Sequence, residues 1–109
     1  MFSNIENFLQ ELHNLQTELL PAAKIKIVYK RINKVSLRIK TTTNLFIDVY
    51  VNTETNRYDF SLIKGNKRIF GFDNLGEWHY HPLNNPDTHI KCKEPSLKHI
   101  LKKIIHIAE

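Results

Sequence analysis

Asp73, His79, His81 and His89 stand close together in the second half of the chain. The segment reads Phe72-Asp73-Asn74-Leu75-Gly76-Glu77-Trp78-His79-Tyr80-His81-Pro82, with His89 seven residues after the proline. Neutral imidazole accepts a proton near pH 7 and also ligates transition metals, so a cluster of this kind on a loop marks the place to look for chemistry. In an extended segment successive side chains alternate, which puts His79 and His81 on one side and Trp78 and Tyr80 on the other. Pro82 holds His81 extended, and the turn through Asn84-Asn85-Pro86-Asp87 can bring His89 back to the same pocket beside Asp73.

Two chemistries suit three imidazoles and a carboxylate. In metal-independent RNA cleavage one histidine takes the 2′-hydroxyl proton and another protonates the leaving oxygen, while Arg57 or Arg68 stabilises charge on the phosphorane. Alternatively His79, His81 and His89 ligate zinc or another divalent metal and leave a position open for water. The spacing leaves both open, beside the plainer reading that the histidines are polar residues of a surface strand. As loop residues, His79 and His81 are expected to contribute little to packing. His13, His99 and His106 fall within expected helices and outside the cluster. Cys92 has no second cysteine and reads as a packing residue. Trp78 and Tyr80 suit either stacking on a base or packing under the sheet edge.

The elements that must position this cluster are legible in the hydrophobic pattern. Ile5, Phe8, Leu9, Leu12, Leu15 and Leu19 recur at helical spacing behind a Ser3–Glu6 capping box, and Pro21 ends the helix. From Lys24 the period becomes two. Ile25, Ile27 and Tyr29 alternate with Lys24, Lys26, Val28 and Lys30; Val35, Leu37 and Ile39 alternate with Lys34, Ser36, Arg38 and Lys40; Leu45, Ile47, Val49 and Val51 make a third strand. Arg57 to Lys64 and Lys67 to Asp73 form a hairpin on Gly65-Asn66, a type II′ signal. Pro95 suits the first turn of a second helix, with Leu97, Ile100, Leu101, Ile104 and Ile105 as its stripe. The expected fold is α+β: one domain over residues 1–109, an antiparallel meander of about five strands, and an N-terminal and a C-terminal helix covering one face.

Composition narrows the function. One cysteine excludes an internal disulfide, no apolar run approaches the roughly 20 residues of a membrane span, and Met1-Phe2-Ser3-Asn4 lacks the features of a signal peptide. A cytoplasmic protein with no membrane partner is the expectation. The net charge of +5 is uneven: residues 24–68 hold eleven Lys and Arg against Asp48, Glu54 and Asp59. Such a surface suits RNA or an acidic protein partner. Lys26, Lys30, Arg38 and Lys40 are expected to form one basic surface that continues into the histidine pocket.

The run Arg57-Tyr58-Asp59-Phe60 through Arg68-Ile69-Phe70-Gly71-Phe72-Asp73-Asn74, then Trp78-His79-Tyr80-His81-Pro82 and His89, resembles the TumE-type toxin family of prokaryotic type II toxin–antitoxin systems. The resemblance covers residues 57–105. It implies a toxin acting on RNA or translation, a cognate helix-turn-helix antitoxin, and a site that includes Asp73, His79, His81 and His89. With the residue chemistry, the leading expectation is a small metal-independent endoribonuclease, a hydrolase whose RNA-binding residues are Arg57, Arg68, Trp78, Tyr80, Arg38 and Lys40. Two alternatives stand beside it: a metal-binding or nucleotidyl-modifying enzyme using the same histidines, and a non-catalytic RNA-binding or interaction module. A homodimer is compatible with each.

Overall fold

The computed structural model describes residues 1–41 and 44–109. Helix α1 (Ile5–Leu19) leads into seven strands, β1 (Lys24–Lys30), β2 (Lys34–Lys40), β3 (Leu45–Asn52), β4 (Arg57–Lys64), β5 (Lys67–Asp73), β6 (His79–His81) and β7 (Ile90–Lys91), and helix α2 (Leu97–Ala108) closes the chain. The strands pair antiparallel in sequence order. The α+β meander with helices at both ends is therefore as expected, extended by two short strands inside the histidine segment. No helix among the described residues is long and apolar enough to cross a membrane.

Alternation sorts the sheet into two faces. Val35, Leu37, Ile39, Ile47, Val49, Val51, Tyr58, Phe60, Leu62, Phe70 and Phe72 are buried with Ile5, Phe8, Leu12 and Leu15 of α1 and Leu97, Ile100, Leu101 and Ile104 of α2. Each such side chain withdrawn from water contributes about 1.5–3 kcal/mol. Neither helix starts where the sequence patterns place it. Asn4, rather than Ser3, caps α1 by accepting the Asn7 N–H. Ser96 caps α2 by accepting the His99 N–H, so Pro95 lies just outside the helix. Both caps give a helix-start donor an oxygen partner.

Two bulges decide which charges reach the open face. In β1 the register shifts between Ile27 and Tyr29, so Tyr29 opposes Ser36 and Lys30 opposes the buried Val35. Lys30 therefore lies on the helix side, where it pairs with Glu6 of α1. The expected basic surface loses that lysine. Between β4 and β5 the register shifts after Leu62, so that Arg68 opposes Ile63. Strict alternation from Phe70 would send Arg68 towards the core; the extra residue re-aims it to the open face. In the Gly65-Asn66 loop only Gly65 has positive φ, +63°, in keeping with a type II′ turn.

Tyr58 links the start of the chain to the sheet. Its ring is fully buried and stacks on Trp78 at 6.0 Å, and its hydroxyl accepts the Phe2 N–H at 2.8 Å. Burial raises the phenol above its ordinary value near 10, against the lowering effect of the Phe2 N–H. A raised folded value contributes stability that is complete below about pH 10 and is lost as pH rises through it. Tyr58→Phe should cost about 1 kcal/mol in urea unfolding at pH 7 and flatten the loss of stability above pH 10. An unchanged alkaline slope would remove Tyr58 as its source.

Candidate functional site

The histidine cluster is built on strands. Asp73 ends β5 and pairs with His79, while Gly71 pairs with His81, so all four positions lie on the face opposite the helices. Phe72 and Tyr80, the intervening pair, face the core side. Gly71 is required by space: a Cβ there would stand 2.7 Å from the Phe60 carbonyl oxygen. Asn74 fastens the end of β5 by accepting the Tyr58 N–H at 2.7 Å and donating to the Asn56 carbonyl at 2.6 Å. The Asp73-Asn74 step thus has two jobs, one residue facing the cluster and the next tying the strand end to the β3–β4 turn.

His79 and His81 are 6% and 5% exposed, and Asp73 is 4% exposed. Residues 79–81, expected on a loop and expected to contribute little to packing, instead join the sheet as a strand, and the following turn folds over them. Each ring has a fixed orientation. His79 Nδ1 donates to the Glu77 carbonyl at 2.8 Å, and His81 Nδ1 donates to the Pro86 carbonyl at 2.8 Å. Both Nε2 atoms consequently point inward at one carboxylate. His81 Nε2 is 2.9 Å from Asp73 Oδ2 in hydrogen-bonding geometry. His79 Nε2 is 3.1 Å from Asp73 Oδ1 but misaligned, and remains a buried nitrogen without a hydrogen-bond partner.

His89 completes the group from the end of the 82–89 turn. Its ring lies parallel to His79 at 4.6 Å and edge-on to His81 at 4.5 Å. Unlike the other two it is exposed. A nitrogen from each of the three imidazoles lies within 4.8 Å of the others.

Burial alone would raise the Asp73 carboxyl; the Leu75 N–H, the His81 hydrogen bond and the charges of both imidazoles outweigh it and hold the carboxyl below its ordinary value. An ion-pair chain extends from there across the open face. Arg68 stands 3.6 Å from Asp73 and 3.9 Å from Asp59, and Arg57 stands 3.4 Å from Asp59. Beside the cluster lies a cleft of about 650 Å³ lined by Lys67, Arg68, His81, Pro86, Asp87 and His89. Lys67 and Asp87 were not singled out by the sequence. The signal for Lys67 was its place directly after the Gly65-Asn66 turn, beside the bulge that turns Arg68 outward.

Other candidates lie away from this cleft. Trp78 packs on Tyr58 and donates to Glu94, and Tyr80 packs on Phe70 and Phe72, so both aromatic rings are on the core side. Arg38 and Lys40 share the open face but sit on β2, four strand spacings from β6, or about 19 Å. Arg38 is held by Asp48 through two hydrogen bonds of 2.8 and 3.3 Å and covers the Phe46 ring at 3.7 Å. Asp48 and Asp59 interrupt the basic surface between β2 and the cluster. His99 packs edge-on against Phe72, outside the cluster. Burial pushes the Cys92 thiol up, which disfavours the reactive thiolate.

No family model, curated protein or solved structure matches the chain.

The buried unit and the exposed ring should respond differently to substitution. His81→Ala should cost about 1–3 kcal/mol, because it leaves the Pro86 carbonyl and a buried carboxylate short of a donor. His89→Ala should stay within about 0.5 kcal/mol of the parent, as surface replacements do. Chemical denaturation of the two variants checks this; equal stabilities would mean that His81 is not a structural member of the site.

Proposed function

We propose that this chain is the toxin of a toxin–antitoxin pair and that it cleaves RNA in the cleft beside β5 and β6. The observation that carries the reading is the composition of that cleft. Two cations, Lys67 and Arg68, and two imidazoles, His81 and His89, line one polar hollow at the edge of a basic chain. A phosphodiester needs cations on its non-bridging oxygens and a proton acceptor beside its 2′-hydroxyl. The cleft has both kinds of group. The resemblance of residues 57–105 to TumE-type toxins supports the toxin assignment and makes a helix-turn-helix antitoxin the expected partner.

Roles follow from which nitrogens are free. His79 and His81 have an acceptor close to each ring nitrogen, so they serve better as the buried support of the site than as its proton carriers. The exposed His89 is the proton acceptor. In the proposed step the 2′-oxygen bonds to phosphorus as its proton passes to His89, and the P–O5′ bond breaks. The leaving oxygen recovers a proton from solvent. Lys67 and Arg68 stabilise the charge that gathers on the phosphoryl oxygens.

Cleavage should therefore persist in excess chelator and leave 2′,3′-cyclic phosphate ends. His89→Ala should lower the rate by about 10²–10⁴-fold, the range for loss of a general base, while the fold is kept. Lys67→Ala with Arg68→Ala should weaken RNA binding and reduce its salt dependence, since fewer counterions are released. A folded His89→Ala variant that cleaves RNA at the parent rate would remove the histidine from the reaction. Absence of any RNA cleavage or binding by the parent protein would overturn the proposal as a whole.

A further inference from the structure

The cluster has a property that proton transfer does not use. His79 and His81 each donate Nδ1–H to a backbone carbonyl, the arrangement that fixes a metal-ligating imidazole with its Nε2 lone pair forward. Those two Nε2 atoms converge on the Asp73 carboxylate at 3.1 and 2.9 Å. In the neutral tautomer this brings two lone pairs against an anion. Either a proton or a metal cation between them relieves the conflict: the proton is what makes His81 a donor to Asp73, and a metal ion takes its place on the same nitrogens. The buried Nε2 of His79, which has no hydrogen-bond partner, is the second and independent sign.

We propose that His79, His81 and His89 bind a borderline transition-metal ion, with Zn²⁺ the best match, and that the Asp73 carboxylate lies beside it as a fourth donor. The donor set is imidazole and carboxylate, which suits zinc and its first-row neighbours more than calcium or magnesium. Tetrahedral coordination at about 2.0–2.1 Å per nitrogen sets neighbouring nitrogens about 3.3 Å apart. The Asp73 contacts already approach that spacing. The imidazole nitrogens, within 4.8 Å of one another, must close by about 1.5 Å at most. His89 is the ring placed to make that adjustment, because it is exposed and follows a turn, whereas His79 and His81 are anchored at Nδ1.

Metal binding and proton transfer compete for His89, since a nitrogen lone pair that ligates zinc is not available to a proton. Zn²⁺ therefore inhibits the RNA cleavage proposed above. This consequence rests on the RNA reading, while the site itself does not.

The test begins with Zn²⁺ added to protein purified without a histidine tag and stripped with chelator, followed by calorimetry in the absence of RNA. One ion per chain is expected, and Co²⁺ in its place should show the visible bands of a tetrahedral ion. His89→Ala and Asp73→Asn should each weaken Zn²⁺ binding at least about tenfold, a change of about 1.4 kcal/mol, while His106→Ala leaves it unchanged. Circular dichroism establishes that the variants are folded, and His89→Ala keeps the test valid if Asp73→Asn does not fold. Absence of stoichiometric binding by the parent, or equal affinity in folded His89→Ala, would overturn the site. In the separate RNA assay, Zn²⁺ should suppress cleavage and chelator restore it. Stimulation by Zn²⁺ would overturn the competition for His89 and the metal-independent reaction, and would not count against the calorimetric result.

Discussion

A single buried carboxylate governs this end of the molecule. Asp73 has lost nearly all its contact with water, and a charge so placed is tolerated only with close partners. It has the Leu75 N–H, His81, the nearby His79 ring and the more distant Arg68 guanidinium. These four partners come from three features: the turn after β5 supplies Leu75, the strand β6 both imidazoles, and the bulge turns Arg68 outward. Register is what brings them together. A slip of one residue in β6 would carry both imidazoles to the core side and Tyr80 to the open side, so the packing of Tyr80 on Phe70 and Phe72 also secures the histidines.

The two faces of the sheet divide the work of the molecule. One face is closed by both helices and supplies the apolar burial. The other carries alternating cations, aromatic rings and carboxylates from Lys24 and Lys26 on β1 to the histidines on β6. Basic groups are not spread evenly over it. Arg38 is committed to Asp48 and Phe46, and Arg57 to Asp59, while Arg68, itself beside Asp73 and Asp59, and Lys67 line the cleft beside the histidines. The net charge of +5 therefore does not by itself say which cations stand beside the histidines.

Much of this architecture was legible in the sequence because long periodic segments leave little choice. The alternation in β2, β3 and β4 determined their buried faces, and the His-x-His spacing placed His79 and His81 on one side of an extended segment opposite Trp78 and Tyr80. The strands β6 and β7, of three and two residues, were not legible as strands, since segments so short have no period to detect. Burial of the two histidines followed from that pairing and from the fold of the 82–89 turn over them, and both are tertiary events. The flip of Lys30 and the rescue of Arg68 depended on single-residue bulges, which alternation cannot reveal because each consists of its interruption. Ser3 and Pro95 gave sound signals for a helix start, but Asn4 and Ser96 next to them offered side chains that capped the observed first turns.

Asp73 is enclosed by two imidazoles locked through Nδ1, with a third ring left open to solvent. Nitrogen-15 NMR of the histidine rings tests it most directly, because long-range couplings assign the proton on each nitrogen and exchange with water reports its burial. Protected Nδ1 protons are expected on His79 and His81, both sensitive to Asp73→Asn, with a ring proton on His89 that exchanges rapidly. Rapid exchange at all three rings, or Nδ1 without a proton on His79 and His81, would contradict it.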